Sequence, residues 1–524
     1  MLTLPDESRL PAPPAGRFVI GIGLLGVLTV AAAFVGHGDP WIALVPCMVG
    51  VPLYAFWHLP LRAALLTLLV FAWALEVPGD GFANGLVHTP WRHVGAVLFA
   101  KLNLSVPVDA LILSGFDLLV FFFLTAIVYR HYTRSRLDRV GWVAPPSPLT
   151  HSVLISLLAV AAMAGYGLMR GGDFKMALWQ ITKHLYLPVL YLLMAYSLRG
   201  AADVGTIGRL VLGVAVFRAA EAILFRRLIP SYEALPHATT HHDSVLFALA
   251  VTILFAMLLE RPGPRTYRIC AVLAPIYLYA MVANNRRLVW VEVAFTAIFF
   301  FLIAPMGKVK RLVLRAIVIS ILPLLLYGRI GWNSDGGRVF APVRTVRSLF
   351  DAKRDSSTRW REWENYDLVF TFKHSPLVGS GFGHPYIETV KLPDVTKVYP
   401  LEPYVPHNSV LGLWAFGGIL GFGLLWMMYP VGMFFTVRAY RWAANPTERI
   451  AALGAAAAQI CYLMQAYGDL GFGTWGPVFT LAASYAVVGK ICVANGAWTL
   501  SPGSAAEDLR TAVRTGSRVA PEVV

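Results

Sequence analysis

Residues 152–169 read SVLISLLAVAAMAGYGLM, a run that contains no charged side chain. A helix needs about 20 mostly apolar residues to cross the hydrocarbon core of a bilayer, and similar runs recur from Phe18 nearly to Val493. Of the 524 residues, 57% are hydrophobic and 14% are charged, whereas a typical soluble protein carries about 25% charged residues. The composition excludes most soluble classes and predicts an all-α, polytopic membrane helix bundle.

The spacing of the apolar runs predicts about 12–14 membrane spans. The predicted spans begin near Phe18, Trp41, Leu61, Asp109, Ser152, Ile181, Gly205, Ser244, Ile269, Leu288, Leu312, Gly418, Ile450 and Gly476. Three of these runs are short, which is why the range includes counts below fourteen. No small-residue cleavage site follows the first run, so we expect it to be an anchor and not a removed signal peptide.

Basic loops assign the two sides of the membrane, because short cytoplasmic loops carry an excess of Lys and Arg. With fourteen spans, the basic clusters within 130–139, 261–268, 308–315 and 438–449 fall on one side, which we predict to be cytoplasmic. The expected organisation is a cytoplasmic tail (1–17), a first membrane part (18–327), an outer cap loop (328–406), a second membrane part (407–495) and a cytoplasmic tail (496–524).

The chain is strongly basic, with 44 Lys and Arg against 29 Asp and Glu and a formal charge of +15. In a soluble protein such a balance would suggest nucleic acid. In a membrane protein it is better explained by loops beside anionic membrane lipid and by a site for an anionic ligand. We therefore predict no nucleic-acid partner.

The long outer connection is expected to form a small helical cap, because a loop of this length without its own structure is unusual. Residues 357–370 predict one of its helices. In that helix, Trp360, Trp363, Asp367 and Phe370 would share a face at helical spacing. The cap aromatic residues are interpreted as core, with stacking on sugar rings as the alternative; the set is Trp360, Trp363, Tyr386 and Tyr404.

Arginines at two positions on the predicted outer side are exceptions to the rule that Lys and Arg favour cytoplasmic loops. Arg218, Arg226 and Arg227 lie near the outer end of one span, where they either reach lipid head groups or pair with Glu221. A second group, Asn284-Asn285-Arg286-Arg287, forms a tight corner between two spans. Guanidinium groups bind phosphate oxygens through paired hydrogen bonds, so this corner predicts contact with an anionic lipid head group.

Histidines mark two further outer positions. His407 follows the long loop at the mouth of the next span, either as an interfacial residue bonded to a carbonyl or as a general base. His237, His241 and His242 precede the eighth span, but their spacing fits no strong zinc pattern. We predict substrate contacts or a polar loop there, and no metal. The glycine-rich run 379–383 is interpreted as a tight turn that packs the cap.

Four short motifs follow one another in the second half of the chain: Arg359-Trp360 with Trp363, SPLVGSGFG (375–383), HNS (407–409) and GGILGF (417–422). Their order, with one long outer loop, resembles the O-antigen ligase and O-antigen polymerase superfamily over about residues 205–441. The corner NNRRL (284–288) is similar to the "S-R" corner of that family, with Asn in place of Ser and a doubled Arg. Which of Arg286 and Arg287 corresponds to the family arginine stays open.

The resemblance implies a membrane glycosyltransferase of the C-type fold in the bacterial inner membrane, acting at the periplasmic face without a cofactor. Its donor would be a glycan linked to undecaprenyl diphosphate, and its displacement would be metal-independent and inverting. His407 would be the catalytic base, and Arg287 or Arg286 would hold the diphosphate with Arg359. Arg218 and His242 complete the predicted substrate contacts.

Two alternatives stay open at this point. Within the superfamily, ligases transfer the glycan to lipid A-core in lipopolysaccharide, whereas polymerases transfer it to another repeat unit. A transporter of lipid-linked glycan or solute would also have many spans. Against that class, the chain shows no internal symmetry of the kind common in transporters, and its unexpected charges lie near the outer surface.

Overall fold

The computed structural model describes residues 15–38, 60–75, 91–100, 113–133, 143–231, 237–334, 356–390, 401–468 and 475–499, with single residues between these ranges. Within these ranges the chain is helical and contains no β-strand, which confirms the predicted all-α bundle. Residues 1–14 and 500–524 of the predicted tails, most of the second span and residues 134–139 of the first basic cluster lie outside the described residues, as do most of 335–355 and all of 391–400 in the cap loop.

The described helices follow the predicted spans closely. They are α1 Ala15–Val35, α2 Leu61–Leu75, α3 Arg92–Phe99, α4 Gly115–Tyr132, α5 Ser147–Met169, α6 Phe174–Ser197, α7 Val204–Leu228, α8 His241–Glu260, α9 Pro264–Asn284, α10 Leu288–Ile303, α11 Lys308–Gly331, α12 Ser356–His374, α13 Ser409–Trp426, α14 Met428–Trp442, α15 Pro446–Gly468 and α16 Trp475–Ala494. A single turn of 3₁₀-helix, Ala201–Asp203, precedes α7.

Several of these helices have the length and composition of membrane spans. Seven qualify within the described residues, if α13 and α14 are taken as one continuous segment: α4, α5, α8, α9, α13–α14, α15 and α16. Four shorter apolar helices lie within α1, α2, α6 and α10. The chain is therefore a multi-pass membrane protein, while the count of 12–14 spans stays a prediction.

The chain divides into two compact units. The first contains residues 1–61 and 96–138, and its helix α4 begins with a reciprocal cap in which Ser114 and Asp117 bond to each other's backbone N–H. The second contains residues 62–95 and 139–524. In this second unit α16 is buried along most of its length and packs against α6, α14 and α15, while α15 also packs against α8 and α10.

The glycine-rich run forms a turn that packs the cap against the bundle. The backbone of Gly381 donates to the carbonyl of Phe416 at 2.9 Å, and Ile419 donates to that of Pro376 at 2.8 Å. α13 is broken at Gly418, whose φ of 58° favours glycine. A Cβ there would lie 2.5 Å from the backbone of Leu377. The turn therefore fixes the segment that follows α12 against the break in α13.

The predicted cap helix is present as α12, but its buried face differs from the prediction. Trp360 and Trp363 pack at the edge of a core that includes Tyr386, and Asp367 is fully buried. Phe370, however, is 39% exposed. The periodicity grouped Phe370 with Trp360, Trp363 and Asp367 on one face, whereas the buried positions beside Asp367 are Glu364, Leu368 and Thr371.

Candidate functional site

The segments that begin α8 and α10, the first half of α12 and the end of α15 enclose a polar cavity of about 220 Å³, which we call the arginine cavity. Its lining residues are His237, His241, Ser244, Asn285, Arg286, Arg287, Leu288, Arg361 and Gln465. Three guanidinium groups from two separate parts of the chain therefore meet at one cavity. The corner between α9 and α10, which the sequence predicted to contact an anionic lipid head group, lines this cavity.

Asn284 builds the corner from which two of these arginines extend. Its side chain accepts a hydrogen bond from the backbone of Thr239 and donates to the carbonyl of Thr240 and to Ser244 Oγ, each at 2.8 Å. The next residue, Asn285, has left-handed backbone angles (φ 50°, ψ 41°) and ends α9. A short polar side chain tolerates this conformation. The corner is thereby tied to the start of α8.

Arg226 supports the same corner from α7. Its guanidinium is buried and donates to the carbonyls of Ala283 and Leu235, each at 2.9 Å. The sequence left open whether this arginine reaches lipid or pairs with Glu221. In the structure it binds one backbone carbonyl at the end of α9 and one in the segment between α7 and α8, so it helps to hold the corner.

The amino terminus of α10 adds positive potential to the cavity. The helix begins at Leu288, directly after Arg287, and no side chain caps it among the described residues. The first N–H groups of a helix have no partner within the helix and carry the positive end of its dipole. Together with the arginines they favour a phosphate-like ligand.

Arg361 is the third cavity arginine, and the sequence analysis missed it in favour of Arg359. Arg361 is half-buried and donates from Nη1 to the carbonyl of Gly468 at 2.6 Å. Arg359 is exposed and lies 5.8 Å from the ring centre of Trp363, outside the lining of the cavity. Helical spacing could have identified Arg361, because it shares a face of α12 with the buried residues Glu364 and Leu368.

His407 lies beside the same cap helix. Glu364 Oε1 accepts a hydrogen bond from the backbone N–H of His407 at 2.8 Å and lies 3.3 Å from His407 Nδ1. The Trp360 ring meets the imidazole edge-on, with 4.7 Å between ring centres. The neighbouring Asn408 donates to Asn365 Oδ1 at 2.9 Å. Consecutive residues of α12 therefore hold the His407–Asn408 pair.

Helix α12 connects the cavity with His407. Arg361 and Glu364 are three residues apart on the helix, so their Cβ atoms lie about 5–6 Å from each other. Arg361 lines the arginine cavity, and Glu364 contacts His407. Arg361 and the residue that contacts His407 are thus placed on adjacent turns of the same helix.

Arg218 lies outside the lining of this cavity, in a closed ion-pair network. Its Nε and Nη2 donate to the two carboxylate oxygens of Asp243 at 2.7 and 2.6 Å, and Nη1 donates to Glu221 at 2.5 Å. Asp243 also caps the start of α8 through Thr240. All three charged side chains are buried. Arg218 therefore helps to hold the start of α8, where His241 and Ser244 line the cavity.

The three outer histidines divide between the cavity and its edge. His237 and His241 line the cavity, and His237 Nδ1 lies 3.2 Å from the carbonyl oxygen of Asn284. His242, predicted as a substrate contact, is not in the lining, but its ring lies 4.2 Å from that of His241. Among the described residues, no three His, Cys, Asp or Glu side chains are grouped as metal ligands.

An apolar groove lies farther along α8 and α10 and is completed by α11. Its volume is about 540 Å³, and its lining residues are Val251, Thr252, Phe255, Val293, Ala297, Ile298, Phe301, Leu302, Val313, Leu314 and Ile317. On α10 these residues begin five positions after Leu288, so at a rise of 1.5 Å per residue the groove starts about 8 Å below the cavity. We call it the α8–α11 groove.

Two further ionisable groups of the cap, Tyr386 and Glu402, lie near His407. Tyr386 donates to Glu402 Oε1 at 2.9 Å, and both side chains are buried. Burial raises the pKa of the Glu402 carboxyl, and the negative charge of Glu364 raises it further, although the Tyr386 hydrogen bond opposes this. Burial also raises the pKa of Tyr386, and the adjacent carboxylates act in the same direction.

Comparison with known proteins bears on the part of the chain that contains this site. Residues 269–426 match the model of the family described as O-antigen ligase. No curated protein matches the chain. The matched segment contains the arginine corner, α12, the glycine turn and His407. This match over residues 269–426 confirms the resemblance to the O-antigen ligase superfamily predicted from the motifs.

Proposed function

We propose that this protein is a membrane glycosyltransferase that moves a glycan from a polyprenyl diphosphate to an acceptor hydroxyl. The observation that carries the proposal is the arginine cavity, whose Arg361 lies one helical turn from the residue that holds His407. The family match supports the same class of reaction. The expected location is the bacterial inner membrane, with the site on the periplasmic side.

The cavity has the chemistry to hold a diphosphate. Arg286, Arg287 and Arg361 supply three guanidinium groups, each able to form paired hydrogen bonds to phosphate oxygens. The uncapped start of α10 adds backbone donors. A group that leaves as a diphosphate gains negative charge in the transition state, and fixed cations directed at that charge lower the barrier.

The α8–α11 groove supports a lipid-linked donor. A prenyl chain attached to a diphosphate in the cavity would continue along α8 and α10 into this apolar groove. The groove is open to the side, since Ile298 and Ile317 are about half exposed. Burial of apolar chain contributes about 25 cal/mol per Å² removed from water. The donor would therefore enter from the bilayer and not from the aqueous phase.

The proposed step is a direct displacement at the anomeric carbon. The acceptor oxygen attacks that carbon, its proton passes to His407, and the bond between the anomeric carbon and the diphosphate oxygen breaks. The electron pair of that bond leaves with the diphosphate, whose charge the cavity arginines stabilise. Attack from the opposite face inverts the anomeric centre. A positioned base typically accelerates such a step about 10²–10⁴-fold.

Transfer by the purified protein, reconstituted in liposomes, tests the proposal. The donor is a synthetic oligosaccharide on undecaprenyl diphosphate, and the acceptors are lipid A-core and a second repeat unit offered in separate reactions. Product formed on lipid A-core favours a ligase, and product formed on the repeat unit favours a polymerase. Release or transmembrane movement of intact donor without a new glycosidic bond would contradict the proposal and favour a transporter.

The variant His407→Ala tests the base, with His374→Ala as its matched control. His374 is exposed in the last turn of α12, so its loss is expected to leave transfer near the wild-type rate. We expect His407→Ala to lose about 10²–10⁴-fold in kcat while the protein remains folded. Near-normal transfer by His407→Ala would remove His407 from the role of base.

A further inference from the structure

Glu364 contacts both the backbone and the ring of His407, which is more specific than packing of the cap requires. A single carboxylate oxygen, Oε1, lies 2.8 Å from the backbone nitrogen of His407 and 3.3 Å from its ring Nδ1. Glu364 is fully buried, whereas the imidazole is 22% exposed. The carboxylate therefore lies on the inner side of the ring, and the ring faces outward.

We propose that Glu364 is a positioning residue that fixes the tautomer and the orientation of His407; this rests on the proposed function. A neutral imidazole carries its hydrogen on one nitrogen and accepts a proton on the other. A carboxylate beside Nδ1 favours the tautomer in which Nδ1 carries the hydrogen. Nε2 is then the nitrogen that accepts the proton of the acceptor hydroxyl.

Glu364 also balances the charge that His407 gains during the reaction. When Nε2 takes the proton, the imidazole becomes a cation, and the adjacent carboxylate stabilises it. Its second oxygen, Oε2, is buried and has no hydrogen-bond partner among the described residues. Fewer competing hydrogen bonds and little surrounding water leave the carboxylate charge less screened toward the imidazole.

Two other contacts keep the ring in place without supplying charge. Trp360 meets the imidazole edge-on from the preceding turn of α12. Asn365 accepts a hydrogen bond from Asn408, whose own side chain caps α13 by accepting from Leu411 at 3.0 Å. Loss of the Glu364 charge should therefore leave the backbone around His407 largely unchanged, which makes the effect on the tautomer separable from unfolding.

The nearby charged groups of the cap must be kept constant in the test. Glu402 lies in the segment before His407, and Glu388 lies in the loop after the glycine turn; both act electrostatically on Tyr386, as Glu364 does. Arg361 lies one turn before Glu364 on the same helix. A substitution at Glu364 that preserves the size and hydrogen-bonding capacity of the side chain disturbs these neighbouring charges least.

The test compares Glu364→Gln with wild type and with Glu362→Gln. Glutamine keeps the shape and an acceptor oxygen but removes the charge, so the preference for a hydrogen on Nδ1 becomes weaker. Glu362 is exposed two residues away on α12, so its variant controls for a charge change on the same helix. The readouts are kcat and KM for transfer and the ¹⁵N chemical shifts of His407.

We expect Glu364→Gln to lose about 10²-fold or more in kcat with little change in the KM of the donor. The ¹⁵N spectrum of histidine-labelled protein, assigned by comparison with His407→Ala, should show Nδ1 protonated in wild type. In Glu364→Gln the population should shift toward Nε2–H, whereas Glu362→Gln should match wild type. Glu364→Asp, with a shorter carboxylate, is expected to recover part of the lost activity.

Wild-type kcat and an unchanged tautomer in Glu364→Gln would overturn the positioning role. If His407→Ala itself remains active, the base assignment fails, while the spectrum still tests whether Glu364 sets the tautomer. If Glu364→Gln fails to fold, Glu364→Asp provides the test, because it keeps the charge but moves the carboxylate away from Nδ1. An unshifted ¹⁵N spectrum in a folded Asp variant with low activity would also contradict the proposal.

Discussion

Arg218 on α7 and Asp243 at the start of α8 form a buried, two-bonded ion pair, with donor–acceptor distances of 2.7 and 2.6 Å. Glu221 shares the same guanidinium at 2.5 Å. One cation between two carboxylates holds the first turn of α8, where His241 and Ser244 line the arginine cavity. Arg218, which the sequence suggested as a substrate contact or as a partner of Glu221, helps through these bonds to organise the wall of the site.

Arg218→Met is therefore expected to destabilise the fold. Removing one partner of a buried ion pair costs about 3–5 kcal/mol, because it leaves uncompensated charge in a dry environment. Thermal unfolding in detergent should show a clear decrease in Tm. A variant with wild-type Tm but a raised KM for the donor would instead favour the substrate contact predicted from the sequence.

Arg287→Lys should be nearly as damaging to transfer as Arg287→Ala. Lysine keeps the charge but cannot form the paired hydrogen bonds of a guanidinium, and Arg287 lies in the cavity lining directly before the start of α10. The measurement is kcat/KM for the lipid-linked donor. Full activity of the lysine variant would show that charge alone is sufficient at this position.

Arg361→Lys and Arg359→Lys should differ in effect. Arg361 lines the cavity, whereas Arg359 is exposed and lies over Trp363. We expect a loss of roughly 10-fold or more in kcat/KM for Arg361→Lys, about 1.4 kcal/mol, and a smaller loss for Arg359→Lys. Inhibition by free undecaprenyl diphosphate should weaken in parallel with Arg361→Lys. A larger loss for Arg359→Lys than for Arg361→Lys would favour the contact between Arg359 and the diphosphate that the motif predicted.

Glu402→Gln should stabilise the cap at neutral pH. Burial raises the folded-state pKa of Glu402 above its unfolded value. The stability that the protonated carboxyl contributes is therefore present at low pH and is lost as pH rises through the folded pKa. At pH 7–8 the variant should therefore have a Tm equal to or above that of wild type. The difference should shrink as pH falls toward about 4.3, the ordinary pKa of Glu.

Exposed Glu362 on α12 provides the matched control for this measurement, because Glu362→Gln also removes one negative charge from the cap. Its Tm is expected to follow wild type across the same pH range. If Glu402→Gln is less stable than wild type at every pH, the ionised carboxylate must be stabilised in the folded state, and the inferred cost of burying it is wrong.

The sequence by itself determined the helices and the order of the motifs. Apolar runs near 20 residues are long enough to span a bilayer and have few other stable conformations in lipid. The runs beginning near Ser152, Ile269 and Leu288 accordingly appear as α5, α9 and α10. The doubled arginine of the corner was also visible, because a basic pair on the outer side contradicts the usual distribution of charge.

Only the tertiary structure decided which side chains meet. Arg359 and Arg361 are two residues apart, and each residue turns a helix by about 100°, so the two face in different directions. Which of them enters the cavity depends on how α12 is rotated against its neighbours. Glu364 and His407 are 43 positions apart, and the glycine turn packed against the break at Gly418 helps to set the cap that brings them together. Local periodicity carries no information about such contacts, because they arise from packing between distant segments.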